Sequence, residues 1–342
     1  MKNIRLIQIG AGGFGQAWLQ VVKNYPEVEL VAVVDQMPEN LTIARQVTGL
    51  PDTQLFTSAD EAFKTVAADM VLIVTPPPTH KELAVKALQS NLHVMLEKPM
   101  THTYEEALEL VETIRSYDSK VMVSQNYRWK PEIQTLKRLL QEGAIGRIGY
   151  MEYQFRKAFK FGGWRDQYAE ILLEDMAIHH FDIMRFLLEK EAVEVVAQSF
   201  RPAWSWFRGN PSAGVMIRFQ DEVHVHYFGS WVARGHQTSW NGDVRIVGER
   251  GAIEMIDDKI HLLLGEDTEV EEVIPVDLVE MPLGDMASSL NDMVHAIRTG
   301  KTPMTSADDN LLSFELTSAA IHSAKTGERT VLSGFRKLKM NS

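Results

Sequence analysis

Ile4–Arg5–Leu6–Ile7–Gln8–Ile9–Gly10–Ala11–Gly12–Gly13–Phe14–Gly15 is the stretch whose reading decides the fold. A short apolar run meets glycines at the first, third and sixth positions of a G-x-G-x-x-G pattern. Phe14, Trp18, Val21 and Val22 then recur at helical spacing. Val28 to Val34 is a valine-rich strand that ends at Asp35, about 20 residues past the glycines. Strand, glycine turn, helix, strand and acidic residue together predict a dinucleotide site. Gly10 permits the tight turn, Gly12 lets a pyrophosphate approach the backbone, and Gly15 permits close packing of helix on strand. The helix start, with Gly13 and Phe14, presents free N–H groups and partial positive charge to phosphate. Asp35 is expected to accept from the adenosine ribose hydroxyls. A 2′-phosphate there would meet a like charge, and Gln36 and Met37 offer no cation to offset it. The expected cofactor is NAD, with NADP less favoured.

Outward from this stretch, strands at Met70–Val74, His93–Leu96 and Val121–Ser124 alternate with helices at Glu82–Gln89 and Tyr104–Tyr117. Near-continuous apolar strands separated by helices predict a parallel sheet covered on both faces. Ligands of such sheets bind beyond the carboxyl ends of the strands. Thr75, Pro76 and His80 after one strand, and Glu97 and Lys98 after another, are therefore cofactor candidates. After residue 124 the pattern changes. Helices at Pro131–Gly143 and Glu170–Leu188 flank a strand near Tyr150, and from Val193 to Asp277 short strands follow one another with turns such as Asn241–Gly242 and Asp257–Asp258. That predicts an antiparallel sheet. Two helices near Met286–Arg298 and Asp308–Ala324 close the chain. The expected domains are 1–124 and 125–342, with the last helix a candidate to pack back on the first. The acidic stretch Glu266–Glu272 reads as a solvated loop or strand edge.

The chain has 342 residues, no cysteine and a formal net charge of −11. Disulfides, thiolate catalysis and cysteine-ligated zinc are excluded. No basic block suits nucleic acid or an anionic membrane surface. No window approaches the roughly 20 apolar residues of a membrane span, and the start does not read as a signal peptide. A cytoplasmic location is expected.

The second half carries Asp175–Met176–Ala177–Ile178–His179–His180–Phe181–Asp182. On a helix, Asp175 and His179 share a face, with Asp182 on much the same side. A carboxylate beside an imidazole fixes its tautomer and raises its basicity, which suits proton transfer from a hydroxyl as its C–H bond breaks. Lys98, just past an apolar strand, is the second candidate for this chemistry. The set lacks a clear further ligand, so no metal is expected. Trp164, Arg165 and Tyr168 precede the helix as a candidate substrate wall, and His180 either binds substrate or packs. Trp204, Trp206 and Trp240 are assigned to the sheet core or a subunit contact. His224 and His226 share one strand face.

These residues together resemble the glucose–fructose oxidoreductase, inositol dehydrogenase and rhizopine-catabolism family, Gfo/Idh/MocA. The glycine motif, Glu97–Lys98–Pro99 and Asp175-xxx-His179-xx-Asp182 stand in family order. Gln125–Asn126–Tyr127–Arg128–Trp129–Lys130–Pro131 is similar to the segment joining the family's two domains. The resemblance implies an α/β fold: an N-terminal Rossmann domain with a doubly wound parallel sheet, then an α/β domain with a large open, mainly antiparallel sheet whose solvent face forms a homodimer or homotetramer. It implies that Lys98 orients substrate and cofactor, that His179 transfers the proton, and that Asp175 is its partner and a substrate contact. Arg128, Trp164, Arg165 and His180 complete the expected substrate set. Ala177 departs from the glycine many members carry there. The implied activity is NAD-dependent oxidation or reduction at a hydroxyl-bearing carbon of a sugar, polyol or inositol. A glycosidase that recycles its NAD and a non-catalytic NAD or sugar sensor are the alternatives.

Overall fold

The computed structural model describes residues 2–265 and 269–340, and the side chain of Trp164 lies outside that description. The chain forms two compact units, 1–126 with 283–311, and 127–282 with 312–342.

The first unit begins with β1 (Ile4–Ile9), α1 (Phe14–Asn24), β2 (Val28–Val34), α2 (Pro38–Thr48), β3 (Leu55–Phe56), α3 (Ala59–Thr65) and β4 (Met70–Ile73). It continues with α4 (His80–Gln89), β5 (His93–Glu97), α5 (Tyr104–Ile114) and β6 (Val121–Ser124). The six strands are parallel in the order β3-β2-β1-β4-β5-β6. Strand order reverses between β1 and β4, and the loops after β1, β2, β4 and β5 therefore share the binding edge of the sheet. Every residue of β4 is buried, which is why that strand reads as an unbroken apolar run. α1 turns Gly15, Trp18, Leu19 and Val22 inward. Phe14, at its first position, is half exposed and outside that face.

The second unit continues with α6 (Pro131–Gln141), β7 (Ile148–Arg156), a helical stretch ending in α7 (Ile178–Leu188), and β8 (Ala192–Phe200), β9 (Ser212–Phe219) and β10 (His224–Ser230). After these come β11 (Asp243–Gly248), β12 (Gly251–Ile256), β13 (Lys259–Leu264) and β14 (Glu272–Val276). The sheet has nine strands, ordered β14-β13-β12-β11-β7-β10-β9-β8-β15, where β15 is Thr330–Val331. β7 and β10 pair in parallel, so the sheet is mixed although mostly antiparallel. Asp257 and Asp258 both take positive φ, 49° and 62°, between β12 and β13, the backbone that a tight two-residue hairpin needs. Of the acidic stretch, residues 266–268 lie outside the described residues, while Glu272 opens β14.

The last quarter of the chain departs from the expected division. α8 (Asp285–Thr299) belongs to the first unit, where Leu290, Met293 and Val294 pack with Trp18, Val22 and Met70. The Tyr25 hydroxyl donates to Asn291 Oδ1 at 2.6 Å. The helix expected to return was the last one named, Asp308–Ala324, whose residues up to 311 fall in the first unit and from 312 on in the second. The apolar face that α1 and the sheet leave open is instead covered by α8. After α9 (Ala307–Thr326), α10 (Leu332–Met340) packs on β8 in the second unit.

Candidate active site

In the first unit the glycine turn is held from below. Gly10 has φ +97°, and a Cβ there would lie 2.5 Å from the Val74 carbonyl oxygen. A Cβ on Gly15 would lie 2.4 Å from the carbonyl oxygen of Gly10. Both positions therefore exclude any side chain, and the backbone at the start of α1 stays uncovered for a phosphate. Gln8 is fully buried, and its amide donates to the carbonyls of Gly10 at 2.9 Å and Gly15 at 2.8 Å. Sequence reasoning passed over Gln8, although a lone amide in an apolar strand was its signal.

Asp35 closes the turn from the side. Its Oδ2 accepts from the Ala11 N–H at 2.8 Å, and its Oδ1 from the Met37 N–H at 2.9 Å and Asn40 Nδ2 at 3.1 Å. Asn40 also reaches Gly12, where an added Cβ would meet its amide nitrogen at 2.8 Å. Asn40 was not among the expected residues. Its contact depends on how α2 starts, which β2 alone does not reveal. The turn, its backbone donors and the aspartate fit a dinucleotide.

At the other loops, Thr75 is half-buried and Pro76 exposed. His80 is fully buried; Nε2 lies 2.7 Å from the Thr75 carbonyl and Nδ1 2.9 Å from the Pro99 carbonyl. Burial holds its pKa below the usual histidine value. His80, expected as a cofactor candidate, sits between the loop after β4 and the loop after β5 with a carbonyl of each beside its ring. Glu97 is buried and accepts from Trp18 Nε1 at 2.7 Å and from the Lys98 N–H at 3.1 Å. Burial pushes its carboxyl up to about 7, against the pull of Trp18 and of the Lys98 charge. It anchors the end of β5 on α1. Lys98 follows as the half-buried residue at that strand end.

In the second unit, Leu172–Ala177 is a π-helical segment that runs into α7. Its wider i→i+5 turn brings residues four apart closer to one full turn than an α-helix does, and such segments recur at functional sites. Asp175 and His179 are both buried. Asp175 Oδ1 accepts from Arg165 Nε at 3.1 Å. The His179 ring stacks on Tyr127, with centroids 4.3 Å apart and planes 17° from parallel. Lys130 Nζ lies 3.7 Å from the Tyr127 ring centroid. Tyr127 was quoted only as part of the joining segment; its ring fixes the plane of the imidazole. Burial, then the charges of Asp175 and Glu174, push the Tyr168 hydroxyl well up, so it remains a proton-bearing donor.

Three expected residues serve other ends. Arg128 is 4% exposed and forms a fork with Asp182, Nε and Nη2 each 2.7 Å from a carboxylate oxygen. Ser313 donates to the same carboxylate at 2.6 Å and accepts from Arg185 Nη1 at 2.7 Å. Arg128 is therefore a buried strut, and Asp182 is the carboxylate it grips. His180, one position on from His179, is turned to the opposite surroundings. It is fully buried among Tyr153, Phe155 and Tyr227, with Nδ1 3.1 Å from the Tyr227 hydroxyl. A helix buried all round lets neighbours 100° apart face different layers, and this one puts His180 in the core.

Burial pushes the His180 imidazole down to about 3. The unfolded chain takes up that proton near pH 6.5, so the contribution is intact above pH 6.5 and is lost as pH falls toward 3. Replacing His180 by glutamine should spare about 2 kcal/mol of the stability that the native protein loses between pH 7 and pH 5. Urea midpoints at the two pH values measure it; equal losses in both proteins would place the imidazole in water.

A family model described as "Oxidoreductase family, NAD-binding Rossmann fold" matches residues 4–125, and one described as "GFO/IDH/MocA C-terminal domain" matches residues 133–254. An uncharacterized protein, y4oX, of Sinorhizobium fredii is 28% identical over 346 residues, covering 97% of this chain and 96% of its own. The D-apiose dehydrogenase of Paraburkholderia graminis is 28% identical over 342 residues, covering 97% of this chain and 90% of its own. Among solved structures, an oxidoreductase from Agrobacterium radiobacter in complex with NAD+, L-tartaric acid and magnesium superposes with a TM-score of 0.90 at 22% identity, covering 97% of this chain and 99% of that one. The glycine cradle with its aspartate lies within the first matched region and the Asp175–His179 helix within the second, and the chain belongs to the Gfo/Idh/MocA family of oxidoreductases.

Proposed function

We propose that this protein is an NAD-dependent dehydrogenase acting on a hydroxyl-bearing carbon of a sugar, polyol or inositol. The observation that carries the reading is the His179 imidazole, buried, held flat on Tyr127 and set on the same helical stretch as Asp175, which pairs with Arg165. A bound nicotinamide dinucleotide supplies the hydride acceptor for oxidation and the donor for reduction. Gly10, Gly12, Gly13, Phe14, Gly15 and Asp35 hold it, and Thr75, Pro76, Glu97 and Lys98 shape the loops beside it. His179 takes the substrate hydroxyl proton during oxidation and returns it during reduction. Lys98 takes the role that the family resemblance implies, orienting substrate and cofactor, with an ammonium charge that favours alkoxide-like character on a substrate oxygen. Asp175 and Arg165 orient the substrate. NAD is preferred to NADP because the Asp35 carboxylate, gripped by Ala11, Met37 and Asn40, would face a 2′-phosphate with a like charge. The apiose-oxidising relative supports a sugar substrate, and a cysteine-free chain suits the cytoplasm.

A panel of neutral sugars, polyols and inositols, read by NADH formation with NAD and in parallel with NADP, tests this. At least one should be oxidised, and faster with NAD. Release of an aryl leaving group with no net NADH would replace the dehydrogenase by the NAD-recycling glycosidase.

The exposed face of the nine-stranded sheet is the proposed subunit contact. Val196, Met216 and His226 line up across β8, β9 and β10, and Phe228 and Phe200 lie beside them. Val196, Phe200, Met216 and Phe228 are each at least 40% exposed, more apolar surface than one sheet face keeps in water without a partner. Met216→Lys should reduce the sedimenting mass to that of one chain; an unchanged mass would move the interface elsewhere.

A further inference from the structure

Three stretches of the second unit, residues 155–165, 200–210 and 230–240, hold seven arginines and lysines and no aspartate or glutamate, in a chain whose net charge is −11. The fold brings them together. Residues 158 and 232 form a β-bridge, and the Lys157 and Phe159 N–H groups donate to the carbonyls of Ser230 and Trp231. The Trp204 indole donates to the Val232 carbonyl at 3.1 Å, and the Trp206 indole to the Phe159 carbonyl at 3.2 Å. Their polar edges are thereby used, and ring faces are left for water. Phe159 is 43% exposed, Trp204 52%, Trp206 40% and Trp240 39%. Of the two expectations for these three tryptophans, sheet core or subunit contact, their exposure removes the first, and Trp231 fills the core instead.

Each of the three indoles carries a cation. Lys160 Nζ lies 5.4 Å from the Trp206 centroid, the Arg234 guanidinium 5.4 Å from Trp204, and Lys157 Nζ 5.3 Å from Trp240. Among the described residues none of these three cations forms an ion pair. An exposed cation–π contact is worth only about 0.5–1 kcal/mol, so the three can turn toward an arriving anion at little cost. The surface also adjoins the proposed reaction site within the same unit. Arg165, paired with Asp175, sits 5.7 Å over Phe161, which packs on Phe159 and Trp231.

We propose that this aromatic and cationic surface binds the outer part of an anionic saccharide, one with at least two rings and a carboxylate or phosphate beyond the ring that is oxidised. The inference rests on the dehydrogenase reading for its link to turnover. Flat, half-exposed rings suit the C–H faces of sugar rings, and the three cations suit the anion and exclude a second cationic protein surface. The placement makes the outer rings bind next to Arg165 while the reacting ring meets His179.

Isothermal titration of the full-length protein with NAD present tests it, using digalacturonate, trehalose 6-phosphate and neutral trehalose as probes. One anionic probe or both should bind at least tenfold more tightly than trehalose, and the two anionic arms distinguish carboxylate from phosphate. The preference should weaken with added salt and disappear in Lys160→Glu/Arg234→Glu. Trp204→Ala/Trp206→Ala should weaken the anionic probes at least tenfold while oxidation of a neutral monosaccharide stays unchanged. Equal affinity for neutral and anionic disaccharides, or no effect of either double substitution, overturns the proposal. So does a smaller sedimenting mass of Trp204→Ala/Trp206→Ala, which would make the surface a subunit contact. Selective binding with no NADH from any sugar would instead sink the dehydrogenase reading and leave the saccharide surface standing.

Discussion

Lys98→Ala and His179→Ala should each lower kcat at least about a hundredfold while NAD binding is kept, the loss that removal of a positioned proton-transfer group brings. NADH formation under saturating sugar measures the first quantity and calorimetric titration with NAD the second. Neither residue belongs to the glycine cradle, and His179 is in the other unit of the chain, so for His179→Ala cofactor affinity is the internal control. His179 also stacks on Tyr127, and part of any loss could come from a disturbed helix. His179→Gln separates the two, because it retains bulk and polarity without titrating. If it turns over as fast as the native protein, His179 is not the base. Full activity in both alanine variants would remove Lys98 and His179 from the chemistry altogether.

Asp182→Ala should cost about 3–5 kcal/mol of folding stability, read as a lowered urea midpoint at constant m-value. The substitution strands the Arg128 guanidinium, 4% exposed, without its bidentate carboxylate, and strips Ser313 of its acceptor. Removing one partner from a buried pair is expensive because the remaining charge stays out of water. Asp175→Ala makes the informative contrast. Its partner Arg165 is about one-third exposed, so water can replace the lost carboxylate. There the effect should fall on turnover, with stability changed by about 1 kcal/mol or less. A stability loss at Asp175 as large as that at Asp182 would make both aspartates structural.

The contrast shows how far residue patterns reach. From Ile4 to Asp35 each local cue agreed with the fold, because strand period, glycine requirement and strand-end acid are all short-range properties. Hence β2 and β6 occupy the residues expected of them. Asp175 and Asp182 look alike in sequence, both carboxylates near His179. They differ only in what packs against them: Arg165 from a half-exposed loop in one case, Arg128 and Ser313 from buried elements in the other. His179 and His180 are similarly indistinguishable until the ring of Tyr127 claims one and the Tyr153–Tyr227 layer the other. Sequence alone leaves Trp204 and Trp206 between the sheet core and a subunit contact, because hydrophobicity does not encode which side of a sheet a loop will lie on.

By itself the amino-acid sequence determined the parallel α/β architecture of the first unit, the mostly antiparallel run of strands in the second and the glycine–aspartate cofactor turn, since these follow from periodicity and from backbone geometry only glycine permits. The tertiary structure alone decided that α8 returns to the first unit, that Arg128 and His180 are buried struts, and that exposed indoles gather beneath three cations. Those outcomes depend on partners 50 to 160 residues away along the chain in several cases, as with Arg128 and Asp182 at a separation of 54 and Asn126 and Asp285 at 159, and no local pattern records which distant surface a side chain will meet.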